Sequence, residues 1–188
     1  MKFKNQKKTG GQILIECLIK HSIDRVFCVP GESYLAALDA FYDFRKKIKL
    51  INAKHEATAS NMAEAYGKLT GKPGVAFVTR GPGACHASIG VHIAKQDSTP
   101  MVLFVGQVAT KMYGKESFQE IDYVSMFSKV AKKSFQISKV EGIEKLIHKA
   151  FQISNSGRKG PVVIALPEDI LVKTTMQQNL SVFHIKKA

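Results

Sequence analysis

The sequence predicts an α/β fold, a three-layer α/β/α arrangement around a six-stranded, mostly parallel sheet, and three observations carry that prediction. Six short apolar runs rich in β-branched residues recur along the chain. Most lack strict in-out alternation, which is what a sheet covered on both faces requires. Most are separated from the next by a segment long enough for a crossover helix, giving a βαβ rhythm.

Residues 1–8 read as a basic N-terminal tail, 9–172 as the domain and 173–188 as a polar, linker-like tail. Thr9 precedes a periodic stretch with Ile13, Cys17 and Ile23 among its apolar positions, the first helix. Val26 to Val29 is the first strand. Ser33 follows the Gly31-Glu32 turn and is expected to cap a helix over Tyr34 to Phe44. Leu50 to Ala53 is the second strand. An Ala-rich helix then runs from about Glu56 to Leu69 and stops at Gly71, with Pro73 beyond. Val75 to Thr79 is the third strand, followed by TRGPGA (Thr79 to Ala84) and an Ala/Ile-rich helix carrying His86 and His92. Met101 to Val105 is the fourth strand. In GKESFQE (Gly114 to Glu120) a glycine turn is expected to lead into a helix with Ser117 as N-cap and Glu120 completing a capping box. Ser134 to Ile137, a helix over Val140 to Ser154, the turn SGRKGP and the last strand, Val162 to Leu166, complete the pattern.

At 188 residues the chain has the length of one domain that buries most of its apolar surface without staples. Cys17, Cys28 and Cys85 are widely spaced, odd in number and form no CxxC or Cys/His ligand cluster. They read as reduced thiols in a cytoplasmic protein, with no metal bound through them. The basic N-terminus lacks the apolar region of a signal peptide, and no stretch approaches a membrane span. The formal net charge of +13 invites a nucleic-acid reading, but the lysines are scattered over helix-like positions with no aromatic-basic interleaving. A solvated lysine-rich surface, with neither nucleic acid nor membrane as partner, accounts for them.

Glu56 stands in the first turn of its helix. That position by itself is explained by the helix macrodipole. A chemical role requires the carboxylate to be desolvated, so that it shares a proton with a ligand nitrogen, and Ala57, Thr58, Ala59 and Met62 offer it no cationic partner along the same helix. Gly81 and Gly83 around Pro82 make a tight turn that lets backbone approach a ligand, though a structural turn reads the same way. It is not a phosphate loop, because GxxxxGK[ST] and GxGxxG are both absent. Phe118 and Gln119 can offer an apolar wall and an amide to a small substrate. His55 reads as a hydrogen-bonded structural group, and Lys132 and Lys133 as solvated charge ahead of a strand. No GxSxG elbow supports a nucleophilic hydrolase.

The order VFCVPGES, KHEATASNMAEAYGKLTGKPGVAFVTRGPGA, DSTPMVLFVGQV, FQEID and GPVVIALPEDI, from roughly Thr9 to Val172, resembles the N-terminal pyrimidine-binding domain of thiamine diphosphate-dependent enzymes of the acetolactate synthase group. The resemblance implies the thiamine diphosphate-binding fold and gives Glu56 the catalytic role of the glutamate that hydrogen-bonds N1′ of the aminopyrimidine ring. There it favours the imino tautomer, whose nitrogen takes the proton from C2 of the thiazolium before attack on a 2-keto acid such as pyruvate. It implies cofactor contacts from Pro30, Gly31, Thr79, Gly81, Pro82 and Gly83, and a substrate or second-cofactor pocket lined by Glu32, Phe118, Gln119 and Lys132. It also implies Mg²⁺ and diphosphate held by a C-terminal domain that this chain lacks, FAD in the central domain of some members, and a homodimer or a separately encoded C-terminal half as partner. Many members read PGG or YGG where this chain has PGES, so Glu32 leaves the substrate open. The rival reading is a non-catalytic remnant or dimerisation module that keeps the fold.

Overall fold

The computed structural model describes residues 7–176. β1 (Lys7–Thr9) runs into α1 (Gly10–Lys20), whose start is a capping box: Thr9 Oγ1 accepts from Gln12 N while Gln12 Oε1 accepts from Thr9 N. There follow β2 (Arg25–Cys28), α2 (Leu35–Asp43), β3 (Lys49–Asn52), α3 (Glu56–Thr70), β4 (Gly74–Val78) and α4 (Pro82–Gln96). The remainder is β5 (Met101–Gln107), α5 (Tyr123–Met126), β6 (Lys133–Gln136), α6 (Ile143–Asn155), β7 (Pro161–Pro167), α7 (Glu168–Val172) and β8 (Thr174–Met176).

The sheet has six strands in the order β3-β2-β4-β5-β7-β6, and every neighbouring pair is parallel. Both faces are buried, which is why the strands carry no polar alternation. Val75 and Phe77 of β4, with Val102 and Phe104 of β5, face a layer built from α1, α2 and α6. Their neighbours Ala76, Val78, Leu103 and Val105 face α3, α4 and α5. The alanines of α3 and α4 let those two helices touch closely. A Cβ on Gly90 of α4 would lie 2.6 Å from the carbonyl carbon of Ser60 on α3.

Four local expectations are revised. Ser33 caps nothing: a 3₁₀ turn over Glu32–Tyr34 precedes α2, and the Ser33 hydroxyl lies 2.8 Å from Thr79 Oγ1. It is wedged there because Gly106 of β5 has no side chain to exclude it. The FQE segment is not helical. The Glu120 carboxylate accepts from Gly114 N at 2.7 Å and Ser117 N at 3.1 Å, which closes a loop, and α5 begins only at Tyr123 under an Asp122 N-cap. The later helix opens with a 3₁₀ turn, Val140–Gly142, before α6. The tail from 173 onward, read as linker-like, contains β8, which pairs antiparallel with β1, Lys7 opposite Met176. The rest of the two tails lies outside the described residues.

Candidate functional site

The path of the chain creates the crevice. β2 leads by α2 to β3 on one side, whereas β4 lies on the other side of β2, so the order reverses between β2 and β4. Loops leaving the C-terminal ends of parallel strands diverge at such a point and open a gap between them. Pro30, Gly31 and Glu32 leave β2 there, Thr79 to Gly83 leave β4, and Glu56 enters from β3.

Glu56 begins α3 beneath His55, whose Nδ1 accepts from Ala57 N at 3.2 Å and so caps the helix. The Glu56 side chain is 14 % exposed. Its Oε2 lies 2.9 Å from Nδ1 of His86 on α4, and the His86 ring stacks on His55 with centroids 4.5 Å apart. His55, Glu56 and His86 are the one metal-capable cluster among the described residues, but His86 Nδ1 is engaged with Glu56 Oε2 and His55 Nδ1 with Ala57 N. Among those residues Oε1 of Glu56 has no hydrogen-bond partner, and it faces Gly83, where a Cβ would stand 3.6 Å from it and 3.0 Å from Thr79 Cγ2.

The turn that presents Gly83 is held from two sides. Gly81 sits at φ 54°, ψ −111°, a conformation that L side chains rarely adopt, and a Cβ there would lie 2.7 Å from Gln119 Cβ. Tyr123 Oη accepts from Gly81 N at 2.7 Å and donates to Gln119 O at 3.5 Å. Burial, outweighing the Gly81 hydrogen bond and the Arg80 charge that pull the other way, pushes this phenol up to about 12, so it remains the neutral group that both bonds require. Pro82 occupies the first turn of α4, where its missing N–H costs nothing. On the β2 side Gly31 presses on Thr79, a Cβ there falling 2.7 Å from Thr79 Cβ.

Glu32 is not an isolated acid. Arg80 Nη2 donates to Glu32 Oε1 at 2.6 Å and Nη1 donates to Glu168 Oε2 at 3.1 Å, so the unusual PGES residue is tied to the TRGPGA turn. The Arg80 Nε is buried without a partner, and its guanidinium carbon stands 5.9 Å from the centre of the largely exposed Phe118 ring.

The structure therefore gathers Glu56, Pro30, Gly31, Glu32, Thr79, Gly81, Pro82, Gly83, Phe118 and Gln119 along one edge. Lys132 is elsewhere, just ahead of β6 at the N-terminal edge, where its Nζ donates to Ile153 O and Ser156 O. Its distance from Glu56 has a plain origin: a residue immediately before a strand stands at that strand's N-terminal end, and with all strands parallel that end is the edge opposite the crevice. Sequence reasoning passed over His86, Arg80 and Tyr123. A helix-only search for partners of Glu56 misses His86 because α4 lies alongside α3, and only the pairing of the acid in PGES with the arginine in TRGPG hints at the Arg80 contact.

The sequence model described as "Thiamine pyrophosphate enzyme, N-terminal TPP binding domain" matches residues 8–126. The chain is similar to a mitochondrial acetolactate synthase of Schizosaccharomyces pombe, 40% identical over 163 residues, 87% of this chain and 24% of that protein. The large subunit of acetolactate synthase from Buchnera aphidicola of Schizaphis graminum is 41% identical over 166 residues, 88% of this chain and 29% of that one. The large subunit of acetolactate synthase isozyme 3 of Escherichia coli K12 is 40% identical over 163 residues, 87% and 28%. The chain thus spans between 24% and 29% of the length of these relatives. With the crevice at the sheet's reversal point and the family match running through β2, α3, β4 and α4, this chain belongs to the thiamine pyrophosphate enzymes as an N-terminal TPP binding domain.

Proposed function

We propose that this chain supplies the pyrimidine-binding side of a thiamine diphosphate site in an acetolactate synthase-like enzyme, with Glu56 as its catalytic residue. The observation that carries the reading is the division of labour on the Glu56 carboxylate: Oε2 is held by His86, and Oε1 is unpaired and faces Gly83. The residues present fit the cofactor, because a side chain at position 83 would fill the space in front of that oxygen and the pyrimidine ring offers the nitrogen that an unpaired carboxylate oxygen needs.

In this reading Glu56 shares a proton with the ring nitrogen N1′. The low exposure of its side chain keeps water from competing for that proton. Gly81, Pro82 and Gly83 bring backbone close to the ring, Tyr123 keeps that turn in place, and Pro30 and Gly31 border the crevice with Thr79. Phe118, Gln119 and the Arg80-tethered Glu32 lie where a small substrate approaches, and Lys132, on the other edge, does not meet this pocket within one chain. When bound, thiamine diphosphate supplies the acidic carbon that adds to a 2-keto acid such as pyruvate and accepts the electron pair as carbon dioxide leaves.

In this reading the diphosphate and its Mg²⁺ are held by a second domain, as the family resemblance implies, and the working site is shared between the two. Leu69 near the far end of α3 and Ile89 of α4 are exposed apolar side chains on the helix layer that Glu56 begins, consistent with association through that layer as a homodimer or with a C-terminal half. All three cysteines are free, in keeping with a cytoplasmic setting, and among the described residues no helix is long and apolar enough to cross a membrane. The deciding experiment assembles the chain with a diphosphate-binding domain, adds thiamine diphosphate, Mg²⁺ and pyruvate, and compares wild type with Glu56→Gln. Pyruvate consumption that survives the substitution would sink the role of Glu56.

A further inference from the structure

Beyond the crevice, the N-terminal edge of the sheet holds a second cleft, of about 390 Å³, between the end of α4, the α5–β6 connection and the turn into β7. Lys95, Lys132, Arg158 and Lys159 line it together with Ser128 and Gly160, and none of the described lining residues is acidic. Asp97, next in sequence to this wall, is already paired with Lys68.

Four cations gathered without a carboxylate repel one another, and here they are held in place by neutral oxygens instead. Lys132 Nζ donates to Ile153 O at 2.5 Å and Ser156 O at 2.6 Å, and Lys95 Nζ donates to Lys129 O. Arg158 donates from Nε to Ser98 Oγ at 2.8 Å and from Nη2 to Gln96 O at 3.2 Å, and Lys159 Nζ reaches Gly71 O at 3.3 Å. An ammonium has three donors and a guanidinium five, so every one of the four keeps at least one N–H unspent. The tethers fix the heads around the cleft before any ligand arrives, which lowers the ordering cost of binding. Partial burial lowers the affinity of Lys132 for its proton.

We propose that this cleft binds a compact polyanion of the di- or triphosphate type. Phosphate oxygens accept short charge-assisted hydrogen bonds from both lysine and arginine, and a group carrying several negative charges matches several positive ones. The volume lies in the range of small-molecule pockets, large enough for a diphosphate with a substituent. The cleft opens at the edge away from Glu56, so the ligand is held apart from the crevice.

The test is calorimetric titration of inorganic pyrophosphate, without Mg²⁺, into the chain at about 0.15 M salt. It is compared with Arg158→Gln, with Lys132→Gln, and with a variant lacking two exposed lysines elsewhere, Lys46→Gln and Lys47→Gln. Arg158 is exposed, so its variant keeps the test valid if loss of the Lys132 tethers impairs folding. One site per chain is expected, weakened about tenfold or more by Arg158→Gln and left within about twofold by the Lys46/Lys47 variant. Backbone amide shifts should report the ligand at Ala131, Lys132 and Gly160 and not at Gly81 or Gly83. Absence of saturable binding, or equal weakening by the two kinds of variant, overturns the proposal. So does a short oligodeoxythymidylate that binds where pyrophosphate does not, since that outcome assigns the charge to a nucleic-acid surface.

Discussion

His86 Nδ1 lies 2.9 Å from Glu56 Oε2, so two helices that follow different strands meet on one carboxylate. The contact fixes which oxygen remains free, and the close approach of α3 and α4 at Gly90 fixes the contact. In the proposed enzyme Glu56→Gln keeps the shape and removes the exchangeable proton. Turnover in the assembled enzyme is expected to fall about 10²- to 10⁴-fold with little change in melting temperature. Steady-state rates and a thermal melt on the same preparation check it.

His86→Ala should give a smaller loss, about ten- to a hundredfold, because Glu56 then samples orientations that turn Oε1 away from Gly83. His86→Gln retains a side-chain donor and is expected to restore most of the rate. Equal rates for Ala and Gln would show that His86 does not position the carboxylate.

Gly106→Ala should destabilise the fold by about 1–3 kcal/mol through overpacking. A Cβ there overlaps the buried Ser33 hydroxyl and falls 2.6 Å from Ser33 Cβ, with β5 unable to move inside a six-stranded sheet. Urea denaturation reads the change as a lower midpoint at constant slope.

His21 stacks on Phe151 at 4.4 Å, and burial, helped by His148 and Lys20, lowers its pKa from 6.5 to about 4. The unfolded chain therefore binds a proton that the folded chain refuses. Stability contributed by the neutral ring is complete above pH 6.5, declines as the pH falls, and is gone below about pH 4. His21→Leu removes this titration, and its stability measured by denaturant between pH 7 and 4 should fall less steeply than that of the wild type.

Cys17 and Cys28 are buried with thiols pushed up to about 12 and about 11, mainly by desolvation, whereas Cys85 is exposed on α4. Iodoacetamide at pH 8 should label Cys85 alone in the native protein and all three cysteines after unfolding, as mass spectrometry of the peptides would show. Rapid native labelling of Cys17 would contradict the packing of α1.

The four central strands β2, β4, β5 and β7 were legible because each is buried on both faces, and the edge strands β3 and β6, though partly exposed, kept enough apolar character to be read with them. Residues such as Val102 to Val105 then have no solvent side to break an apolar run, and the run itself marks the strand. Helix ends were legible where a cap is local in sequence, as at Thr9 and at Gly71, which takes the left-handed conformation. They were misread where another group takes the capping side chain: Ser33 is drawn to Thr79, and in the Ser117–Glu120 pair Glu120 does accept from Ser117 N but also closes on Gly114 N, while the Ser117 hydroxyl turns to Met112 O. The site followed the same division. Glu56 and the glycine turn are visible as motifs, but His86, Arg80 and Tyr123 act across 30, 48 and 42 positions of sequence, and no periodicity encodes those separations.

β1 and β8 bring the two ends of the described chain side by side, Lys7 opposite Met176 and Thr9 opposite Thr174. A pull on these ends therefore loads three residue pairs one after another, like the teeth of a zipper, before any strain reaches the parallel sheet. The ribbon is a mechanical fuse: it opens first under tension transmitted through either terminus, and it leaves the crevice around Glu56 undisturbed while it does so.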